Sequence, residues 1–182
     1  MKQLVIGLAA IGLMAGCASN AGTGASTGAP AAGTSALATL APKSGSNVQG
    51  TIKLLQQGDN RVAMAVDIAG LLPNGMFGFH VHEKGDCSSP DGMSAGGHFN
   101  PTGQPHGDPR SGPHHAGDIP MLQSDASGKA VGSIVLTGVT LTPGATSLVG
   151  RAVIVHAGMD DYKTQPTGNS GGRVACGVIV AN

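Results

Sequence analysis

Hydrophobic and polar positions alternate along much of this chain with a period of two residues. From 48 to 54 and from 62 to 68, every second position is apolar or glycine, and Gln57-Gly58-Asp59-Asn60 lies between the two stretches. This alternation is typical of β-strands with one buried face, and a short polar segment with glycine commonly joins such strands. The pattern therefore predicts a β-hairpin.

The same pattern predicts further strands at 77–83, 130–136, 151–156 and 173–180, and no amphipathic helix of normal length. Several short antiparallel strands with long connections are typical of an all-β sandwich or flattened barrel. Two of the predicted loops, 84–118 and 157–172, are longer than ordinary connections. Loops of that length commonly carry function.

The amino-terminal residues follow a different pattern, that of an export signal. Lys2 precedes an apolar run, Leu4 to Met14, which is shorter than the roughly twenty residues of a membrane span. The run ends in Leu13-Met14-Ala15-Gly16-Cys17, which resembles the cleavage box of bacterial lipoproteins, with methionine where leucine is usual. This resemblance implies a signal peptide at 1–16 and a lipid on Cys17. The alternative is an ordinary secretory leader with an incidental cysteine.

Residues 18–42 are almost wholly Ala, Gly, Ser, Thr and Pro and have no charge. Such a composition predicts a flexible tether with an end-to-end distance of about 25–30 Å. We therefore expect one folded domain at 43–182, held by lipid on the periplasmic side of the cell envelope. In the lipoprotein pattern, Ala18 after the cysteine favours the outer membrane.

Charge and cysteine content narrow the class of protein further. The formal net charge is zero, no basic stripe is present and only four residues are aromatic, so nucleic-acid binding has little support.

Of the three cysteines, Cys17 would be used by the lipid, which leaves Cys87 and Cys176. An oxidising compartment favours a disulfide between them, and two buried free thiols are the alternative.

All seven histidines lie between residues 80 and 156, and imidazole is the commonest metal-binding side chain. His80 and His82 are two positions apart in a predicted strand, so they share a face at about 6.5–7 Å. His156 ends another strand and could add a third nitrogen. An all-imidazole site with square geometry suits Cu(II).

A second group of candidate ligands lies in the Gly/Pro-rich loop. His115 and Asp118 are three residues apart, and His98 and His106 precede them in the same loop. Three histidines and one carboxylate in a tetrahedral array suit zinc. The sequence therefore predicts a centre that holds two ions.

Over residues 48–180 these motifs closely resemble copper–zinc superoxide dismutases. The matching stretches, in family order, are GFHVHEKGDC, GGHFNP, the single His106, HAGD, Val155-His156 and GGRVACGVI. The resemblance implies a Greek-key fold with long metal-binding and electrostatic loops. It also implies dismutation of superoxide by redox cycling of one copper ion per subunit, supported by one structural zinc ion.

The resemblance further implies a role for each matching residue. The copper ligands would be His80, His82, His98 and His156, and the zinc ligands His98, His106, His115 and Asp118, with His98 as the bridge and proton source. Asp160 would accept hydrogen bonds from His80 and His106, Arg173 would attract and orient the anion, and Cys87 would pair with Cys176.

Some alternatives stay open at this stage. A shift of one residue would put His114 in place of His115, although the His-x-x-Asp spacing selects His115. A non-enzymatic periplasmic copper or zinc carrier would have no need of Arg173. A copper-only dismutase is a third reading, and the zinc-type ligand set argues against it. A homodimer also stays open.

Overall fold

The computed structural model describes residues 33–182, and the fold of this part of the chain is all-β, as predicted. The strands, in chain order, are β1 (Ser35–Pro42), β2 (Gln49–Gln56), β3 (Arg61–Ala69), β4 (Met76–Phe77), β5 (Phe79–His82), β6 (Leu122–Gln123), β7 (Ala130–Thr137), β8 (Ala152–His156) and β9 (Arg173–Ala181). One short 3-10 helix, Met93–Ala95, interrupts the longest loop. Within residues 33–182, no helix has the length and apolar character needed to cross a membrane.

Seven of the strands form one antiparallel sheet in the order β5-β8-β9-β1-β2-β3-β7, and β4 pairs separately with β6. The chain crosses from one end of this sheet to the other between β3 and β5 and again between β7 and β8. These long crossings give the Greek-key character, and the sheet curves into a half-barrel. The predicted hairpin is present, with Gly50 opposite Ile68 and Gln56 opposite Val62.

The strands of the sheet bury one face in a common hydrophobic core. Alternate residues of β2 and β3 are buried, and Ile52, Leu54 and Met64 among them are at most 1% exposed. Phe79 and Val81 of β5 pack in the same core. Burial of these apolar side chains is the main term that stabilises the sheet.

The flexible tether predicted for 18–42 is wrong from Ser35 onward, because residues 35–42 form β1. This strand is central in the sheet, where Ala38 lies opposite Ile52 of β2 and Ile179 of β9. Ala36, Ala38 and Leu40 are all buried. The folded domain therefore begins before residue 43, while the predicted signal peptide, Cys17 and the first part of the tether lie outside the described residues.

The loop 84–118 is held against the edge of β5 that β8 leaves free. The Val81 amide donates to Gly117 O at 2.9 Å, and the Phe99 amide donates to Val81 O at 2.8 Å. A Cβ at position 117 would lie 2.2 Å from Val81 O, so only glycine allows this approach. The predicted disulfide is confirmed, since Cys87 of the loop is bonded to Cys176 of β9.

Candidate metal centre

The alternation of β5 places its two histidines on the face opposite the core. Phe79 and Val81 point into the hydrophobic core, whereas His80 and His82 lie on the other face and are fully buried under the long loop. The neighbouring strand β8 ends in His156, which is 4% exposed. The ring centroids of His80 and His156 are 4.9 Å apart.

The loop 84–118 brings its own ligands to this face. His98 forms an isolated β-bridge with His82, and Asp118 forms one with His80. These bridges continue the sheet by one residue pair each, so the backbone of β5 fixes both loop positions. The ring centroids of His80 and His98 are 4.0 Å apart.

The buried side chains form two groups of four possible ligands, and His98 belongs to both. Within each group the ligand atoms all lie within 4.8 Å of one another; the groups are His80, His82, His98 and His156, and His98, His106, His115 and Asp118. We call them the copper set and the zinc set, after the ions that the sequence predicted. The structure thus brings together the residues that the sequence assigned to each ion.

In the copper set, hydrogen bonds occupy one nitrogen of each ring and leave the other bare. His80 Nε2 donates to Asp160 Oδ2 at 2.6 Å, His82 Nδ1 to Gly96 O at 2.9 Å and His156 Nδ1 to Gly171 O at 3.2 Å. The buried nitrogens without a hydrogen-bond partner are His80 Nδ1 and the Nε2 atoms of His82, His98 and His156. Buried polar atoms are normally paired, so four bare nitrogens in one group fit a metal ion.

In the zinc set, three ring nitrogens surround one carboxylate oxygen. The distances to Asp118 Oδ1 are 2.7 Å from His98 Nδ1, 3.0 Å from His106 Nδ1 and 3.3 Å from His115 Nδ1. The other oxygen, Asp118 Oδ2, accepts the backbone amides of Gly107 and His115, which fixes the carboxylate. This donor set, three nitrogens and one oxygen, suits a tetrahedral zinc site.

Burial and neighbouring histidines keep three rings of the copper set neutral, those of His82, His98 and His156. Burial, together with His98, lowers the pKa of His82 well below its ordinary value. Burial also lowers the pKa of His98 to about 4 and that of His156 to about 3. Because a metal ligand must have a free lone pair, these shifts favour metal binding at neutral pH.

Two carboxylates, Asp118 and Asp160, determine the charges in and around the zinc set. Burial opposes charge on Asp118 and Asp160, but hydrogen bonds from histidines outweigh it and hold the pKa of both carboxyls well below their usual range. Burial also lowers the pKa of His106, yet its bonds to Asp118 and Asp160 prevail and raise that pKa to about 9. The two aspartates are therefore anions that can offset the charge of a cation.

Arg173 lies at the start of β9, beside an open cavity that leads to the copper set. The cavity has a volume of about 390 Å³ and is lined by Ser44, Asp91, Met93, His156, Thr167, Gly171, Gly172 and Arg173. The guanidinium donates to Gly92 O at 2.8 Å and to Gly96 O at 2.6 Å. Gly96 O also accepts a hydrogen bond from His82 Nδ1, so Arg173 and a copper-set histidine share one carbonyl acceptor.

His114 takes no part in either set. The residue is half-buried, and its Nδ1 bonds Gly112 O at 2.7 Å. His115 is the buried residue of the pair and supplies the ring nitrogen near Asp118. The structure thus agrees with the His-x-x-Asp spacing.

The model of one protein family, described as copper/zinc superoxide dismutase (SODC), matches residues 48–179. The chain belongs to this family. It is 42% identical over 122 residues to superoxide dismutase [Cu-Zn] 2 of Aquifex aeolicus (strain VF5), a match that covers 65% of this chain and 71% of that protein.

Solved structures extend the likeness to proteins that are described in other terms. The clock protein EA4 matches with a TM-score of 0.73 and 39% identity, over 82% of this chain and 95% of that one. A SOD-like protein from Bacillus subtilis matches with a TM-score of 0.70 and 37% identity, over 78% of this chain and 95% of that one. The fold of this family is thus shared by proteins described as a clock protein and as SOD-like.

Asp160 links the two metal sets. Its Oδ2 accepts from His80 Nε2, and its Oδ1 accepts from His106 Nε2 at 3.0 Å. Gly168 packs over this contact with φ +67°, and a Cβ there would lie 1.8 Å from Asp160 Oδ1. Sequence reasoning missed Gly168, since nothing separates it from the many other glycines of the loops.

Gln165 is the other residue of the centre that sequence reasoning missed. Its Oε1 accepts the His106 amide at 2.9 Å, and its Nε2 donates to His106 O at 2.8 Å. The pair of bonds fixes the backbone of a zinc-set histidine from the loop 157–172. A single glutamine in a polar loop has no sequence signal that would reveal this role.

Proposed function

We propose that this protein dismutates superoxide, with copper bound by the copper set and zinc by the zinc set, one ion of each per subunit. The observation that carries the proposal is the group of four bare, buried nitrogens next to a cavity that contains Arg173. Copper, when bound, supplies one-electron redox chemistry between Cu(II) and Cu(I), which zinc does not have. Family membership supports the same assignment.

The residues of the chain have separate tasks in the reaction. Two superoxide anions and two protons give one dioxygen and one hydrogen peroxide, so the site must attract an anion and supply protons. Arg173 is a cation whose two carbonyl partners aim it beside the cavity, and a fixed guanidinium favours a small anion. His98 Nε2 has no other partner and is the position at which a proton can be held and released.

A periplasmic copper or zinc carrier without enzymatic activity is the alternative function. The metal-set residues are at most 7% exposed, which suits permanent retention of a metal more than its transfer to a partner. A carrier also has no use for a buried arginine next to its metal. These two observations favour the enzyme.

The copper assignment is tested by replacing His82 with alanine. The variant lacks one ligand nitrogen and no core side chain, so we expect dismutation to be abolished while the circular dichroism spectrum stays that of a β protein. Metal analysis and a superoxide assay on the metal-loaded protein give the measurement. Full activity in His82→Ala would contradict the copper assignment, and an inactive, fully loaded wild type would favour the carrier.

The zinc assignment is tested by Asp118→Ala. Loss of this carboxylate removes one zinc ligand and the acceptor of the Gly107 and His115 amides. We expect zinc to be released, the loop 84–118 to loosen and the melting temperature to fall more than the activity. If the variant binds zinc as the wild type does, Asp118 is not a ligand.

We further propose that the domain is exported and lipid-anchored at Cys17 on the periplasmic side of the envelope, at the outer membrane. The Leu13–Cys17 sequence supports this, and so does the disulfide, since disulfides persist in oxidising compartments. We expect Cys17→Ser to abolish partition of the protein into detergent with membrane lipids while the folded domain is unchanged. A wild type that is freely soluble after export would contradict the anchor.

A further inference from the structure

The turn that follows β1 contacts the backbone that carries Arg173. Ser44 Oγ donates to Arg173 O at 2.9 Å, and the Lys43 amide donates to Val174 O at 2.8 Å. The register of β1 with β9 ends at Pro42 opposite Ala175. The turn therefore supplies hydrogen bonds to β9 just beyond the point at which the regular β1 ladder stops.

The same turn also forms hydrogen bonds to the loop that contains the acceptors of the Arg173 side chain. The Ser44 amide donates to Pro90 O at 2.9 Å, and Lys43 Nζ donates to Cys87 O at 2.5 Å. This loop provides Gly92 O and Gly96 O, the two acceptors of the guanidinium. The turn thus contacts both the backbone of Arg173 and the loop to which its side chain is hydrogen-bonded.

Arg173 has need of such support because the strand pairing on its other side is irregular. The register of β8 with β9 shifts between Val155 and His156, opposite Arg173. A bulge of this kind disrupts the local ladder. Ser44 also has φ +51°, a left-handed conformation that serine adopts only at some cost and glycine adopts freely. Glycine would fit this backbone conformation better, but it lacks the hydroxyl that bonds Arg173 O.

We propose that Ser44 is a positioning residue for Arg173, which fixes the guanidinium beside the copper set and so sets the affinity of the site for small anions. This inference rests on the proposed function in so far as the substrate is an anion that Arg173 guides. Ser44 reaches neither metal set through a hydrogen bond; its bonds end on Arg173 O and Pro90 O. Its effect on the anion therefore passes through Arg173.

The test uses azide as the anion and the copper- and zinc-loaded protein. Ser44→Gly removes the hydroxyl where the backbone favours glycine, so the variant is expected to fold and to hold both metals fully. Loss of one ordinary hydrogen bond corresponds to roughly a three- to tenfold change in an equilibrium constant. We expect the azide affinity, followed by the electron paramagnetic resonance spectrum of Cu(II), to fall by about that factor. An unchanged affinity would overturn the proposal.

Ser44 lines the cavity, so a direct contact with the anion is the competing explanation. A double-mutant cycle distinguishes this contact from positioning of Arg173. In the Arg173→Ala background, Ser44→Gly should leave the azide affinity unchanged. An equal loss in both backgrounds would refute action through Arg173. Ser127→Gly is the matched control, because the Ser127 hydroxyl bonds Asp125 within its own turn and should not alter azide binding in either background.

The azide titration does not depend on turnover, so the two proposals fail separately. If wild type binds azide in an Arg173-dependent way that Ser44→Gly weakens, but does not dismutate superoxide, the proposed function is wrong and the role of Ser44 stands. If wild type is active while Ser44→Gly keeps full azide affinity, the role of Ser44 is wrong and the enzyme stands. In the active protein, Ser44→Gly should also lower kcat/KM and flatten its dependence on salt.

Discussion

At the scale of single residues, two opposite charges lie in the wall of the same cavity. Arg173 and Asp91 both line the cavity. Burial lowers the pKa of Arg173, and the Asp91 carboxylate partly opposes that shift. The cation to which we assign the attraction of superoxide is thus partly offset by an anion at the same opening.

Arg173→Ala should lower the dismutation rate without loss of metal. Two unit charges about 5 Å apart attract by roughly 3 kcal/mol at an effective dielectric near 20, and water in the cavity screens much of this. We expect a loss of about ten- to a hundredfold, with partial recovery in Arg173→Lys, which keeps the charge but not the fixed fork of donors. Equal rates and equal salt slopes in wild type and Arg173→Ala, with copper fully loaded, would contradict guidance by this arginine.

Asp91→Asn should have the opposite effect. Its Oδ1 accepts the Met93 amide, and the amide oxygen of asparagine can do the same, so the loop is retained while the repulsive charge is lost. We expect the rate at low ionic strength to rise by roughly two- to threefold and the gain to vanish at high salt. Asp86→Asn, an exposed change in the same loop that does not line the cavity, is the control and should leave the rate unaltered.

At the scale of strands and loops, the sequence predicted the strands in which large apolar side chains occupy every second position. The β2–β3 hairpin and the histidine strand β5 have that property, and their motifs also identified the metal sets. Strand β1 was missed because it alternates alanine and leucine within a segment of Ala, Gly, Ser and Thr. Gln165, Gly168 and Ser44 were missed for another reason, since their roles depend on backbone geometry that no side-chain pattern encodes.

The central position of β1 gives a direct prediction. Ala38 is 0% exposed and lies between Ile52 and Ile179, so Ala38→Asp would bury an unpaired charge in the core. We expect a loss of about 3–5 kcal/mol in the free energy of unfolding, by analogy with other unpaired buried charges. Thr39→Asp, the next residue on the exposed face of the same strand, should cost little. Urea unfolding curves compare the two, and similar midpoints would contradict the placement of β1.

At the scale of the whole molecule, the buried titrating groups link stability to pH. The pKa values of about 4 for His98 and about 3 for His156 lie below the ordinary value of 6.5 for histidine. The unfolded chain therefore binds more protons between those limits, and the metal-free protein should lose stability as the pH falls from about 6.5 to about 3. The lowered pKa values of Asp118 and Asp160 act in the same direction, in a more acidic range.

His106 has the opposite dependence, because its pKa of about 9 exceeds 6.5. Its stabilising contribution is complete below pH 6.5 and is lost as the pH rises through about 9. We therefore expect the metal-free protein to be most stable near pH 6.5, as measured by urea unfolding across a pH series. His106→Gln should remove the alkaline slope and retain the acidic one; an alkaline slope that persists in this variant would assign it to another group.

The shared hydrogen bonds of Asp160 have a consequence for how the protein is loaded with metal. A cation at His106 Nδ1 would stabilise the ring orientation in which Nε2 donates to Asp160, and the same carboxylate accepts from His80 Nε2, which leaves His80 Nδ1 free toward the copper set. Occupation of the zinc set would thus reinforce the orientation of a copper-set ring through one shared carboxylate. Because binding free energies are reciprocal, copper would then tighten zinc by the same factor. The two ions would therefore load cooperatively, and the half-loaded protein would be scarcer than it is for two independent sites.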